Sequence, residues 1–221
     1  MISLTQGCDE LKVALSEGQF SALQDYVDLL LKWNKTMNLI SRRDVGRVIE
    51  RHILDSLTGV DLVTGDAVLD VGSGAGLPGI PLAIAAPERA YALCDRMTRR
   101  GRFLQQAVRE LGLTNVTVIS EDVVELPENL SYDTIVARAV GGVGELWDLL
   151  NLRLNPGGRL LVYSSTQLTD AEDTSNELKE TDAPEQTEVV AEQIKGAKLM
   201  AHRFDIPGIN STHTICEITK I

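Results

Sequence analysis

Apolar and polar positions follow two different periods along this 221-residue chain. Up to about residue 65 the spacing is helical. Phe20, Leu23, Val27, Leu30 and Leu31 fall on one side and predict an amphipathic helix of about four turns. A second helix is predicted over residues 45–62, with Val48, Ile49, His52, Ile53, Leu57 and Val60 along one side and a polar connector, Asn38 to Asp44, before it. From residue 66 short apolar runs alternate with helical stretches. Strands are predicted near 67–71, 90–94, 116–119, 133–137 and 158–163, and helices near 79–86, 98–111 and 143–152. Pro156-Gly157-Gly158 reads as a turn into the fifth strand. Strand and helix in repeated alternation predict a parallel sheet covered on both faces. Two further strand-like runs, near 197–204 and 212–219, are joined through Pro207-Gly208-Ile209-Asn210-Ser211 and predict a terminal antiparallel hairpin. No internal repeat is visible.

The first strand ends in the most informative stretch, Val68-Leu69-Asp70-Val71-Gly72-Ser73-Gly74-Ala75-Gly76-Leu77-Pro78-Gly79. Glycines at 72, 74 and 76 let the backbone turn sharply and approach a ligand with no Cβ in the way. A strand, a glycine loop and a helix start in this order deliver a small-molecule cofactor to the amino end of the helix. The dinucleotide fingerprint is not fully met, because Leu77 stands three residues after Gly74. A methyltransferase loop tolerates that change, since S-adenosylmethionine has no pyrophosphate to cradle. With the terminal hairpin, the expected architecture is α/β: a Rossmann-like class I methyltransferase fold, its mostly parallel seven-stranded sheet ending in an antiparallel hairpin and preceded by an N-terminal helical extension. Residues 1–65 would form the helical cap and 66–221 the S-adenosylmethionine-binding domain, with 165–194 an acidic insert or lid.

Charge changes this picture locally. The net charge is −11, but residues 165–194 hold nine acids against Lys179 alone, a balance of −8, leaving −3 elsewhere. Residues 32–51 carry six bases and two acids; residues 96–109 carry Arg96, Arg99, Arg100, Arg102 and Arg109 with no acid. Local patches rather than net charge attract phosphates, although any single arginine among these reads better as part of a solvated helix face. With 43% hydrophobic residues the chain can bury a full core. Its apolar runs are far short of a membrane span, and its first ten residues lack the basic and apolar regions of an export signal. Cys8, Cys94 and Cys216 suit neither a disulfide framework nor a zinc site and fit a reducing cytoplasm.

Asp70, two residues before Gly72, orients the glycine loop, meets the cofactor's ammonium, or serves as a simple turn or helix cap. Asp95, at the end of the second strand, can accept both ribose hydroxyls of a nucleoside cofactor, or cap a helix. Arg138, just past the fourth strand, sits at the mouth of the sheet. It would anchor the cofactor, steer a phosphate, or pair with Asp122 or Glu121. His52 lies on an apolar helix side and reads as a hydrogen-bonded core histidine rather than a catalytic base. Arg51 and Asp55 stand at i, i+4 and would pair. His202 and His213 have no metal-ligand partner at suitable spacing, so no metal site is expected. Trp33 and Trp147 read as packing anchors.

Three blocks go beyond the general fold: 32–39 (Lys-Trp-Asn-Lys-Thr-Met-Asn-Leu), 51–57 (Arg-His-Ile-Leu-Asp-Ser-Leu) and 70–81 (Asp-Val-Gly-Ser-Gly-Ala-Gly-Leu-Pro-Gly-Ile-Pro). Together with Asp95, Arg99-Arg100, Phe103-Leu104 and Ala137-Arg138-Ala139, they resemble the glucose-inhibited division protein B family, bacterial small-subunit ribosomal RNA (guanine-N7) methyltransferases. The resemblance is good over residues 20–163 and implies S-adenosylmethionine contacts at Gly72, Leu77, Val123, Val124 and Arg138. Two departures stand out. The family's Arg, small residue, Glu becomes Asp122-Val123-Val124, and its Lys-Gly after the fifth strand becomes Ser164-Ser165.

The expected activity is therefore S-adenosylmethionine-dependent methylation of N7 of a guanine in small-subunit (16S) ribosomal RNA. Asp70, Gly72, Gly74, Leu77, Asp95, Val123, Val124 and Arg138 would bind the cofactor. Asn34, Asn38, Arg51, His52 and Asp55 would frame the guanine, and Arg42, Arg43, Arg47, Arg99, Arg100 and Arg102 would track RNA. A cytoplasmic monomer acting on the small ribosomal subunit, with no metal and no membrane, completes the expectation. The rivals are a methyltransferase of the same fold with another acceptor, favoured by Ser164-Ser165 and the acidic insert, and a ribosome-assembly protein without turnover, disfavoured by the intact glycine loop. A nicotinamide dehydrogenase is a distant third.

Overall fold

A computed structural model describes residues 2–138, 142–164, 187–188 and 196–221. The expected acidic lid, 165–194, lies outside the described residues except for two. Two helices come first. α1 (Leu4–Leu11), capped by the Ser3 side chain, has no counterpart in the expected pattern, because eight residues give little more than two turns of period. α2 (Glu17–Met37) is 21 residues long, well beyond the expected four turns. A capping box starts it: Gln19 N–H donates to the Ser16 hydroxyl and Ser16 N–H to the Gln19 side chain. The Gln19 amide then donates to Ile84 O and Ala85 O, tying α2 to the far end of a helix 65 residues away.

The single helix expected over 45–62 does not form. A 3₁₀ turn (Val45–Arg47) leads into a π-helical turn (Ile49–Leu54), then the one-turn α3 (Asp55–Leu57) and a second 3₁₀ turn (Val60–Leu62). Every residue from Ile53 to Leu57 is buried, so this segment is enclosed on all sides. Packing rather than one amphipathic stripe sets its path.

The rest is the sheet and its covers: β1 (Ala67–Val71), α4 (Gly79–Ala85), β2 (Ala90–Cys94), α5 (Thr98–Glu110), β3 (Val116–Ile119), β4 (Tyr132–Arg138), α6 (Val143–Leu150), β5 (Leu154–Ser164), β6 (Thr187–Glu188), β7 (Ala197–Asp205) and β8 (Thr212–Lys220). The strand order is β3-β2-β1-β4-β5-β8-β7-β6. β1 to β5 run parallel, β8 runs antiparallel between β5 and β7, and β6 adds an eighth, two-residue strand that no sequence pattern marks. The turn at 156–158 lies inside β5 as a bulge, since the pairing jumps from Tyr132↔Leu154 to Thr134↔Arg159.

Alternate residues feed two cores. Val68, Val136, Leu161 and Ile215 face α2, α4, α5 and the 45–62 segment; Leu69, Ile135, Leu160 and Cys216 face α6, where Trp147 is buried. Trp33 packs edge-on against Phe103 of α5 at 5.7 Å. Because β2 and β4 flank β1 on opposite sides, the carboxyl ends of β1 and β4 open a crevice at the point where the strand order reverses, the place where such sheets bind ligands.

Candidate cofactor and substrate site

The crevice holds a cavity of about 650 Å³. Its floor is the loop after β1, and the chain supplies that loop's supports from three directions. Gly72 N–H and Ser73 N–H donate to Cys94 O at the end of β2 (2.8 and 3.1 Å). Asp95 follows directly; its Oδ2 accepts Gly74 N–H at 2.9 Å and its Oδ1 accepts Met97 N–H at 2.8 Å. From behind, the fully buried Tyr26 of α2 donates its hydroxyl to Ala75 O at 2.6 Å. Sequence reasoning missed Tyr26, because its position in the helical period is indistinguishable from that of a core aromatic.

Asp70 does not line the cavity. It lies wholly buried beneath the loop, where its Oδ2 accepts Gly79 N–H at 2.9 Å, the first amide of α4. Of the expected roles this contact is the helix cap, which also holds the end of the loop in place, and the helix amide expected to meet a ligand is already taken. The other oxygen, Oδ1, has no hydrogen-bond partner among the described residues. Burial pushes this carboxyl up to about 7. A folded-state value above the unfolded one contributes stability that is complete below the unfolded value, near 4, and is lost as pH rises through about 7. Asp70→Asn removes this titration. Relative to the parent chain it should gain on the order of 2 kcal/mol between pH 5 and pH 8, read by denaturant unfolding at both values. Equal differences at the two values would show Asp70 to be ionised throughout.

On the opposite wall Arg138 ends β4. Its Nη1 donates to Asp55 Oδ2 at 3.0 Å and its Nη2 to His52 Nδ1 at 3.4 Å. The expected partners are thus corrected: Arg138 pairs with Asp55, while Asp122 lies 3.8 Å from the exposed Arg96 and caps the 3₁₀ turn Val123–Glu125. The expected Arg51–Asp55 pair is also absent. Arg51 lies 3.6 Å from Asp44, and Asp55 is held between Arg138 and His213, whose Nδ1 is 2.7 Å from Asp55 Oδ1. In the π-helical turn, residues four apart no longer stack on one face. Hydrogen bonds from His213 and Arg138 outweigh burial and hold the Asp55 carboxyl below its ordinary range. His52 lines the cavity, held down to about 4 by burial and by the Arg138 charge. It is neutral, with Nδ1 accepting and the proton on Nε2, 3.7 Å from Asp44.

Of the expected cofactor residues, Gly72, Gly74, Leu77, Asp95, Val123 and Arg138 line the cavity; Val124 is 60% exposed outside it. Of the expected guanine residues only His52 lines it. Asn34 Oδ1 accepts Ile40 N–H at 2.9 Å, and Asn38 adopts the left-handed conformation (φ 50°) that ends α2. Both shape the turn that carries Leu39, Ile40 and Ser41 into the cavity wall. Among the arginines, Arg100 lines the cavity 3.5 Å from Asp95, and Arg99 donates to Thr36 O at 2.9 Å, joining the two basic segments. Arg42, Arg43 and Arg102 are exposed, whereas Arg47 donates to Gly208 O in the hairpin turn. No cluster among the described residues could hold a metal ion, and no described helix is long and apolar enough to cross a membrane.

Sheet order, glycine loop and the acid closing β2 together define a class I S-adenosylmethionine-dependent methyltransferase. The chain belongs to the rRNA small subunit methyltransferase G family, whose sequence profile matches residues 19–200. It is 34% identical to the ribosomal RNA small subunit methyltransferase G of Coxiella burnetii over 215 residues, 97% of this chain and 96% of that protein. The enzyme of the same name from Alteromonas mediterranea is 46% identical over 143 residues, 65% of this chain and 68% of that one. The magnesium protoporphyrin IX methyltransferase of Synechocystis PCC 6803, solved with S-adenosylmethionine, shares the fold at 15% identity: its TM-score is 0.56 over 94% of this chain and 99% of that one. S-adenosylmethionine is the cofactor, and the residues present fit it. Among the described residues a Cβ at Gly74 would come nearest to Gly72 O, at 3.7 Å, so the loop leaves open a surface that a ligand can touch.

Proposed function

We propose that the chain transfers a methyl group from S-adenosylmethionine to N7 of a guanine in the 16S RNA of the small ribosomal subunit. The observation that carries this reading is how the titratable side chains of the wall are engaged. Asp70 is shut beneath the loop, Asp55 is engaged on both oxygens, and His52 has its Nδ1 lone pair turned to Arg138. None of these three groups is poised as a general base. Guanine N7 requires none, because it already carries an in-plane lone pair; alignment at near-attack distance is what the enzyme must supply. Bound S-adenosylmethionine supplies an electrophilic methyl group on a sulfonium. Gly72, Gly74, Leu77, Asp95, Val123 and Arg138 hold it, and Asp70 fixes the loop. His52 and the 39–41 wall face the base, with Asn34 and Asn38 shaping that wall, Arg51 steadying Asp44 and Asp55 holding Arg138. Residues 1–65 act as a cap on the 66–221 domain, and the protein works as a cytoplasmic monomer.

The deciding experiment is nucleoside mass spectrometry on small subunits lacking N7-methylguanine, incubated with the protein and S-adenosylmethionine. New N7-methylguanosine in 16S RNA is the expected result. Cofactor binding without it would point to a different acceptor. The two basic segments, joined at Arg99 and Thr36, serve as the RNA footprint. Arg43→Glu with Arg102→Glu should weaken RNA binding at least tenfold and lower the salt-dependence slope by about 1 for each phosphate no longer neutralised. An unchanged slope would place the RNA elsewhere.

A further inference from the structure

A long reach along the chain bears on the cavity wall through His213. This residue is the second of β8 in the terminal hairpin, is 7% exposed, and lies 158 residues from the carboxylate it touches. The Asp55 carboxylate is shared evenly: Oδ1 is 2.7 Å from His213 Nδ1, and Oδ2 is 3.0 Å from Arg138 Nη1. An ionised carboxylate only accepts, so His213 Nδ1 carries the proton and donates. Asp55 itself lies in the short α3, whose neighbour Ser56 accepts the buried Tyr163 hydroxyl through its carbonyl at 3.0 Å. The hairpin turn is bound to the same segment, since Arg47 donates to Gly208 O and Ile206 and Ile209 enter the core beside it. Arg138, by contrast, stands at the very end of β4, and its guanidinium reaches the cavity held by Asp55 and His52.

We propose that His213 is a positioning residue for methyl transfer: it fixes the Asp55 carboxylate, which in turn aims the Arg138 guanidinium into the cofactor cavity. The terminal hairpin, which in sheets of this order lies at the edge away from the cofactor loop, thereby takes part in cofactor binding. Arg138 offers five donors in a rigid fork, so rotation of its carboxylate partner redirects all of them together. A histidine can set that rotation because its ring, packed in the hairpin, has only one donor facing Asp55. The inference rests on the reading that Arg138 contacts the cofactor.

The test uses the full-length protein, calorimetric binding of S-adenosylhomocysteine, and KM and kcat for methylation of small subunits. His213→Leu removes the donor and keeps the bulk. It should loosen cofactor binding about tenfold and raise the KM for S-adenosylmethionine, with kcat at saturation changed far less. His213→Asn places an amide nitrogen where Nδ1 stood and should restore affinity to within about threefold. The deciding comparison is a double-mutant cycle with Arg138→Gln, which should itself loosen binding at least tenfold. In that background His213→Leu should have no further effect, because it acts through Arg138. Should Arg138→Gln bind normally, the reading of Arg138 as a cofactor contact fails. Should Arg138→Gln bind weakly while His213→Leu binds normally, or the two losses simply add, His213 is structural and the proposal is overturned. Thermal melting of each variant checks the fold, and if His213→Leu does not fold, the Asn variant and its cycle with Arg138→Gln carry the test.

Discussion

Arg138→Ala is expected to destabilise the protein by about 3–5 kcal/mol, besides weakening cofactor binding. The reason lies in what the substitution leaves behind. Asp55 is buried, and the guanidinium that neutralises one of its oxygens from 3.0 Å would be gone. His213 alone would then face a carboxylate that burial already disfavours. Breaking one side of a buried pair costs more than the pair itself contributes, because the desolvation has no remaining compensation. Asp55→Asn in the same chain should recover part of the loss, since a neutral amide tolerates the site better than an unpaired charge. Urea unfolding measures both effects, and an unchanged m-value shows that the folded and unfolded states remain comparable. A loss below about 1 kcal/mol for Arg138→Ala would mean that water reaches the pair and screens it.

This pair also marks the limit of what the amino-acid sequence reveals. The five parallel strands and the terminal hairpin are legible because their signal is local: apolar runs such as Val68-Leu69 and Leu160 to Tyr163 fall in β1 and near the end of β5, whereas the two-residue β6 carries none. The glycine loop is legible for the same reason, and Gly72, Gly74, Leu77 and Asp95 all reach the cavity. The charged wall is not. Arg138 finds Asp55 across 83 residues and Asp55 finds His213 across 158, so spacing along the chain offers nothing to recognise. The helical rule pairing Arg51 with Asp55 presupposes regular α-helix where the backbone widens to a π-helical turn. The apolar neighbours of His52 in the sequence foretell its burial. Its place on the cavity wall, however, follows from that same widened turn.

Gly79→Ala and Gly74→Ala, only five residues apart, should fail in opposite ways. At Gly79 a new Cβ would fall 2.3 Å from Leu93 Cδ2, 2.5 Å from Asp70 Oδ2 and 3.0 Å from Asp70 Cβ. The leucine tip has nowhere to turn in a fully buried site, and Asp70 Cβ is fixed by β1. Asp70 must therefore yield, and its bond to Gly79 N–H breaks. Overpacking of about 1–3 kcal/mol adds to a similar loss from the orphaned amide, together on the order of 3–5 kcal/mol. For a chain of this size that is a fall of roughly 10 °C in melting temperature. At Gly74 the added methyl meets no described residue beyond its chain neighbours closer than 3.7 Å, and a φ of 58° costs an alanine only about 1 kcal/mol. The fold should survive nearly intact, but the methyl would stand where the backbone is meant to meet the cofactor. S-adenosylhomocysteine binding should weaken at least tenfold in Gly74→Ala, with melting within a few degrees of the parent chain. A Gly74→Ala variant that binds normally would move the cofactor off the loop; a Gly79→Ala variant that melts normally would mean that Asp70 does not hold the start of α4.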